Sequence, residues 1–176
     1  YHYHRQGYCR KHDSSGIIHF KMQFLDQHVF ITGGSSGIGL ALARQVAGVG
    51  AHVSIVARDP AKLAVAHAAI REAQSGDAEI VTVPADVSVE DEILQALKTA
   101  EAVHGPVDIL ITSAGVARPG YFEEVPVSVF EHTMAVNYFG TLYPLKAVVP
   151  AMRQRGSGAV VLISSGAGLY GFFGYT

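Results

Sequence analysis

The chain has 176 residues, 49% of them apolar and 16% charged, and a formal net charge of −2. That length and balance fit one globular domain with a sizeable core, exclude a disordered chain, and give no electrostatic footprint for nucleic acid. Cys9 is the only cysteine, so no internal disulfide can form, and no apolar run reaches the roughly 18 residues of a membrane helix.

Residues 1–21 hold four histidines and four Lys/Arg against one acid. A metal site from His2, His4, Cys9 and His12, or a basic arm touching a membrane, are the functional readings. The spacing fits no zinc pattern, and the expectation is a disordered or extraneous extension. The domain then covers 22–176. An apolar strand at about 28–32 enters a glycine-rich turn, and a helix at about 37–48 leaves it, carrying Ile38, Leu42, Val46 and Val49 at helical spacing. Gly48 and Gly50 supply its stop. A second strand covers about 51–57. Pro60 opens the next helix, which turns Leu63, Ala66 and Ile70 to one face. A third strand covers about 79–84, and a helix runs from Ser88, whose hydroxyl is expected to cap it. A fourth strand covers 107–112. A long helix follows at about 128–154, and Pro144 and Pro150 are expected to kink or interrupt it. A fifth strand covers 159–164. This β-α alternation predicts an α/β fold: a Rossmann-like, doubly wound parallel sheet in the order 3-2-1-4-5.

Ligands of such sheets sit at the carboxyl ends of the strands. At the first, Gly33, Gly37 and Gly39 are spaced G-x-x-x-G-x-G. Glycine there permits φ > 0 and close approach of a ligand to the backbone. The free N–H groups and positive dipole end of the helix favour a phosphate. Ser35 and Ser36 can cap the helix or donate hydroxyls to that phosphate. Leu42 stands where the common G-x-G-x-x-G fingerprint would need a small residue. The alternative reading is a glycine turn of some other α/β protein.

The stretch Thr32-Gly33-x-x-x-Gly37-x-Gly39 resembles the short-chain dehydrogenase/reductase family, and the resemblance spans about 27–176. It implies a nicotinamide cofactor held by Gly33, Ser35, Ser36, Gly37, Ile38 and Gly39. After the second strand stand Ala57, Arg58 and Asp59. An acid at that strand end would bond the ribose 2′-OH of NAD; Arg58 instead suits a 2′-phosphate through paired hydrogen bonds. NADPH/NADP is therefore expected, the alternative being a solvated Arg58 beside a capping Asp59. After the third strand, the resemblance gives Asp86 a contact with the adenine amino group and Val87 a backbone contact. A helix cap or turn would use Asp86 equally well. After the fourth, Ala114 and Gly115 match the family's N-N-A-G while Thr112 and Ser113 replace its asparagines. Small residues let the cofactor ribose pass. Asn137 sits among apolar neighbours and needs partners for its amide; the resemblance has it hold a water of the proton relay. After the fifth, Ser165 is the implied catalytic serine, set against the bland reading of a turn hydroxyl, while Ser164 is expected to bond the backbone locally.

The family's Tyr-x-x-x-Lys pair, in which the cation lowers the Tyr pKa for proton donation, falls beyond the stretch given. Tyr170 has Gly174 four positions on, and Tyr175 lies too close to Ser165. The sequence therefore reads as a piece of a longer protein, its Rossmann fold incomplete at the C-terminus, with apolar surface left exposed on the sheet. Tyr170, Phe172, Phe173 and Tyr175, with Val116, Tyr121 and Phe122, are expected to line an apolar entrance, against simple loop packing. The segments SAGVARPGYFEEVPVSVFEHTMAVNYFGTLYPLKAVVPAM and LISSGAGLYGFFGYT are most similar to the 3-ketodihydrosphingosine reductase branch. That branch implies NADPH-dependent reduction of a lipid-like ketone in the cytoplasm, with possible peripheral contact at the cytoplasmic face of a membrane, the endoplasmic reticulum if the source is eukaryotic. The family also implies a homo-oligomer paired through the long helix. Reduction of a 3-oxoacyl thioester or steroid, or cofactor binding without catalysis, are the alternatives.

Overall fold

The computed structural model describes residues 24–171; the expectations for 1–21 and for Phe172, Phe173 and Tyr175 lie outside them. Five short runs of β-branched and aliphatic residues pair in parallel: β1 (His28–Thr32), β2 (His52–Ala57), β3 (Ile80–Pro84), β4 (Ile109–Thr112) and β5 (Ala159–Leu162). Their order is β3-β2-β1-β4-β5, as the alternation predicts. The strands are shorter than the apolar runs suggest, because flanking residues such as Val107 are buried without entering the ladder.

Side-chain alternation along β1 divides the core. Val29 and Ile31 pack with Ala43, Val46, Leu63 and Ile70 beneath α1 (Gly37–Ala47) and α2 (Pro60–Ala73). Phe30 turns to the opposite face, among Ile93, Leu97, Val148 and Met152 of α3 (Glu90–His104) and α5 (Gly140–Arg155). Complete burial of a side chain such as Phe30 is worth about 1.5–3 kcal/mol. The central strands are thus covered on both faces, whereas β5 is exposed along its length, leaving Val160, Val161 and Leu162 as the apolar surface expected on the sheet. Parallel pairing throughout puts all strand carboxyl ends on one side.

Local chemistry explains the helix starts. Pro60 stands first in α2, and Asp59 Oδ1 accepts the N–H groups of Ala61 and Lys62 at 2.9 and 3.2 Å. Two expectations are corrected. Ser88 does not cap α3: Val89 occupies the cap position, and the Ser88 hydroxyl donates to Asp86 Oδ1 at 2.7 Å. The nearer carboxylate outcompetes the helix end for that hydroxyl. The long helix is interrupted, but not at its prolines, which both lie inside α5. The break is a π-helical stretch, Ala135–Phe139, joining α4 (Val127–Met134) to α5. Here Gly140 packs so tightly on Val87 that an added Cβ would stand 2.8 Å from its Cγ2. The extra residue of the π turn sits beside that close contact.

Candidate functional site

The carboxyl ends of β1, β2, β3 and β4 surround a crevice of about 340 Å³. Gly33, Ser35, Ser36, Gly37 and Ile38 form one wall. Arg58 and Lys62 stand at the β2 end, Asp86 and Val87 at the β3 end, and Ala114 and Gly115 at the β4 end.

Backbone geometry shapes the first wall. Gly33 has φ +71°, and a Cβ would stand 2.7 Å from the Ala114 backbone, so no other residue fits. Gly37 also has positive φ, +54°, but open space where a Cβ would lie. Gly39 does not line the crevice; it is buried, and a Cβ there would collide with the Gly33 carbonyl. Its smallness lets α1 start directly beneath the turn. Ser36 occupies the cap position with no side-chain cap bond, and the first turn of α1 carries no acid. An N-terminus with unopposed N–H groups and an uncommitted hydroxyl suits an anion. Ile38, read both as part of the helix's apolar spacing and as a cofactor-binding residue, is exposed and lines the crevice, because Gly39, Ala43, Val46 and Ala47 take the buried stripe of α1.

At the far end, Arg58 lies 3.9 Å from Asp86 Oδ2, and its side chain is 59% exposed. That loose pair leaves the guanidinium free to engage another anion. Asp86 is tied down more firmly: Oδ1 accepts the Ser88 N–H at 2.9 Å as well as its hydroxyl, and the Asp86 N–H donates to Glu92 Oε2 at 2.7 Å. Burial alone would raise its carboxyl, but the Ser88 bonds, with Arg58 and then His132, hold it below the usual carboxylate range. Asp86 is therefore an ionised turn residue and a crevice residue at once. Lys62 was missed by sequence reasoning. It stands four residues after Arg58 in the first turn of α2, so its ammonium shares the same mouth; the Arg-x-x-x-Lys spacing was the signal available.

Asn137 lies at the centre of the π stretch and is exposed rather than buried. Its Oδ1 accepts the Val116 N–H at 2.8 Å, and its Nδ2 donates to the Val116 carbonyl at 2.9 Å. Both ends of the amide thus clamp the loop after β4 to the helix. Ser165 lies beyond β5, outside the crevice lining, in an open depression of about 420 Å³ with Ser164, Gly166, Gly168 and Leu169. Its Oγ accepts the Ala167 N–H at 3.1 Å, leaving its own hydroxyl proton available. The local backbone bond expected of Ser164 thus belongs to Ser165. Leu169 lines the same depression, and Tyr121, Phe122, Leu169 and Tyr170 are all more than half exposed.

A glycine turn, a free helix N-terminus and a crevice spanning four strand ends define an α/β protein of the dinucleotide-binding class. A model of the family described as short chain dehydrogenase matches residues 27–176, and the chain belongs to that family, whose members bind nicotinamide cofactors. It is similar to the 3-ketodihydrosphingosine reductase of Bos taurus, 42% identical over 151 residues, covering 85% of this chain and 46% of that protein. The solved short-chain type dehydrogenase/reductase from Mycobacterium ulcerans superposes with TM-score 0.82 at 33% identity, over 86% of this chain and 56% of that one. An NAD+-bound xylitol dehydrogenase superposes with TM-score 0.81 at 25% identity, over 87% and 58%. The chain thus spans about half the length of the curated relative it matches.

Proposed function

We propose that residues 22–176 form the cofactor-binding part of a reductase that converts the C3 ketone of 3-ketodihydrosphingosine to the alcohol with NADPH, residues 1–21 being an extension outside it. The 42% identity to a reductase of that name is the observation that carries the substrate. The crevice supports the cofactor. Its pyrophosphate would lie on the Ser35–Ile38 turn, against the N–H groups of α1 and the Ser36 hydroxyl. Its ribose would pass Ala114 and Gly115, and its adenine would meet Asp86 and Val87. Arg58 and Lys62 would hold the 2′-phosphate that distinguishes NADPH from NADH.

Bound NADPH would supply the hydride. Ser165 would donate its free hydroxyl proton as a hydrogen bond to the substrate's carbonyl oxygen, helping to stabilise the charge that develops there. Asn137 would keep the β4 loop at the spacing the cofactor needs and hold a relay water. The exposed rings of Tyr121, Phe122 and Tyr170 with Val116 suit an alkyl chain. This reading includes peripheral contact at the cytoplasmic face of a membrane; separately, no helix among the described residues is long and apolar enough to cross one. Homo-oligomers would form through α4, the π stretch and α5, where Met134 and Tyr138 are exposed.

The test is turnover by the full-length protein. NADPH oxidation is followed with 3-ketodihydrosphingosine, a 3-oxoacyl thioester and a ketosteroid in parallel. Reduction of the sphingoid ketone in preference to the others is expected; activity only on the thioester or steroid overturns the reading.

A further inference from the structure

At the amino ends of β1 to β3, on the side of the sheet away from the crevice, three histidines close on one another. His28 is satisfied: Nδ1 lies 2.8 Å from the Gly105 carbonyl oxygen and Nε2 2.9 Å from Ser54 Oγ. His104, the last residue of α3, is not. Its side chain is fully buried, edge-on to His28 and stacked on His52, with ring centroids 4.9 and 5.2 Å away. Neither of its ring nitrogens has a hydrogen-bond partner among the described residues. Burying unpaired polar atoms costs on the order of 1–3 kcal/mol each, so their idleness asks for a ligand. Glu79 Oε2 lies 3.9 Å from His104 Nδ1, and one donor atom each from His52, Glu79 and His104 falls within 4.8 Å of the others.

We propose that His52, Glu79 and His104 form a site for a divalent transition metal, best suited to Zn2+, at the amino end of the sheet. Two imidazoles and a carboxylate are a donor set that zinc takes when a fourth position is left to water. The three ligands come from β2, the approach to β3 and the end of α3, so a bound ion would tie three elements together.

The site must tighten, because donors around a tetrahedral ion with bonds of about 2.0–2.2 Å stand roughly 3.3 Å apart. His104 is fixed by burial, whereas Glu79 is exposed and His52 half-buried, so these two move. His52 gives up the Glu79 N–H that its Nδ1 accepts at 3.1 Å, which makes the site weaker than a preformed one.

The test is a titration of the metal-free, full-length protein with Co2+ followed by absorption, then displacement by Zn2+. One equivalent of Co2+ with the intense visible bands of tetrahedral coordination is expected. His52→Gln and Glu79→Gln should each weaken it at least about tenfold. Their NADPH affinity, read separately at the opposite end of the sheet, should be unchanged and shows that they fold. A variant with His2, His4 and His12 all changed to Gln should still bind. Absent saturable Co2+ uptake, uptake indifferent to His52→Gln and Glu79→Gln, or uptake lost with the N-terminal histidines would each overturn the proposal.

Discussion

Arg58 and Lys62 face the same opening from successive turns of chain; of the two carboxylates lining it there, Asp59 is engaged in capping α2 and Asp86 stands 3.9 Å from the guanidinium. An added phosphate would find two unspent cations. Charge-assisted hydrogen bonds are worth about 1.5–3 kcal/mol each, so Arg58→Ala should weaken NADPH binding by roughly 10- to 100-fold and NADH binding by much less. Fluorescence titration with both nucleotides checks this; equal losses would assign Arg58 to general packing. Gly33 makes a steric prediction. With φ +71° and no room for a Cβ against Ala114, Gly33→Ala should cost several kcal/mol and lower the melting temperature steeply. Gly37→Ala, which meets only backbone strain, should cost about 1–2 kcal/mol, with its main effect on cofactor affinity. Much at this scale was legible in the sequence, because glycine and arginine at strand ends advertise geometry and charge. Lys62 was not, since a lysine in a helix reads as a solvated face until the fold shows which way its turn looks.

Elements were legible where periodicity carried them and obscure where a tertiary contact overrode it. The strand order follows from alternation, and Leu63, Ala66 and Ile70 are buried as their spacing requires. The helix break was misplaced because Pro144 and Pro150 are visible breakers, whereas the packing of Gly140 on Val87 that accompanies the π turn is written in no local pattern. The π stretch puts Asn137 opposite Val116, where one amide makes two bonds to one backbone unit. Asn137→Ala removes both and leaves a partly solvated backbone unit, which should cost about 1–3 kcal/mol and free the loop after β4. Hydrogen exchange at the Val116 amide should accelerate more than at Leu110 in β4. Unchanged protection at Val116 would mean that the loop is held by other contacts. Asn137→Asp, which keeps the acceptor but not the donor, should lie between the two.

For the molecule as a whole, the amino end of the sheet sets the response to acid. His28 and His104 are both held below the ordinary histidine value, His28 by burial against the pull of the Gly105 carbonyl, Asp108 and Glu101. For His104 burial acts with His28 and His52, and its pKa falls to about 4. Above the ordinary pKa of about 6.5 both folded and unfolded chains carry these rings neutral, and pH has no hold on stability through them. As pH falls through that value, the unfolded chain takes up protons that the folded chain refuses, so folding weakens until the folded pKa is reached. The full gap for His104 corresponds to roughly 3 kcal/mol, and about 2 kcal/mol of it is spent by pH 5. The carboxylate of Asp86, also lowered, acts in a separate window: its stabilisation is complete above its ordinary pKa and is lost only as pH falls below that value. Between pH 7.5 and 5 the histidines therefore dominate. At about 2–4 °C per kcal/mol for a domain of this size, the melting temperature should drop by roughly 4–8 °C over that interval. In His104→Gln, which cannot charge at that position, the two temperatures should draw closer together, His28 supplying the pH dependence that remains, even if both are lower. A wild-type profile flat from pH 7.5 to 5 would show that the histidines at this end are solvated and titrate as free side chains.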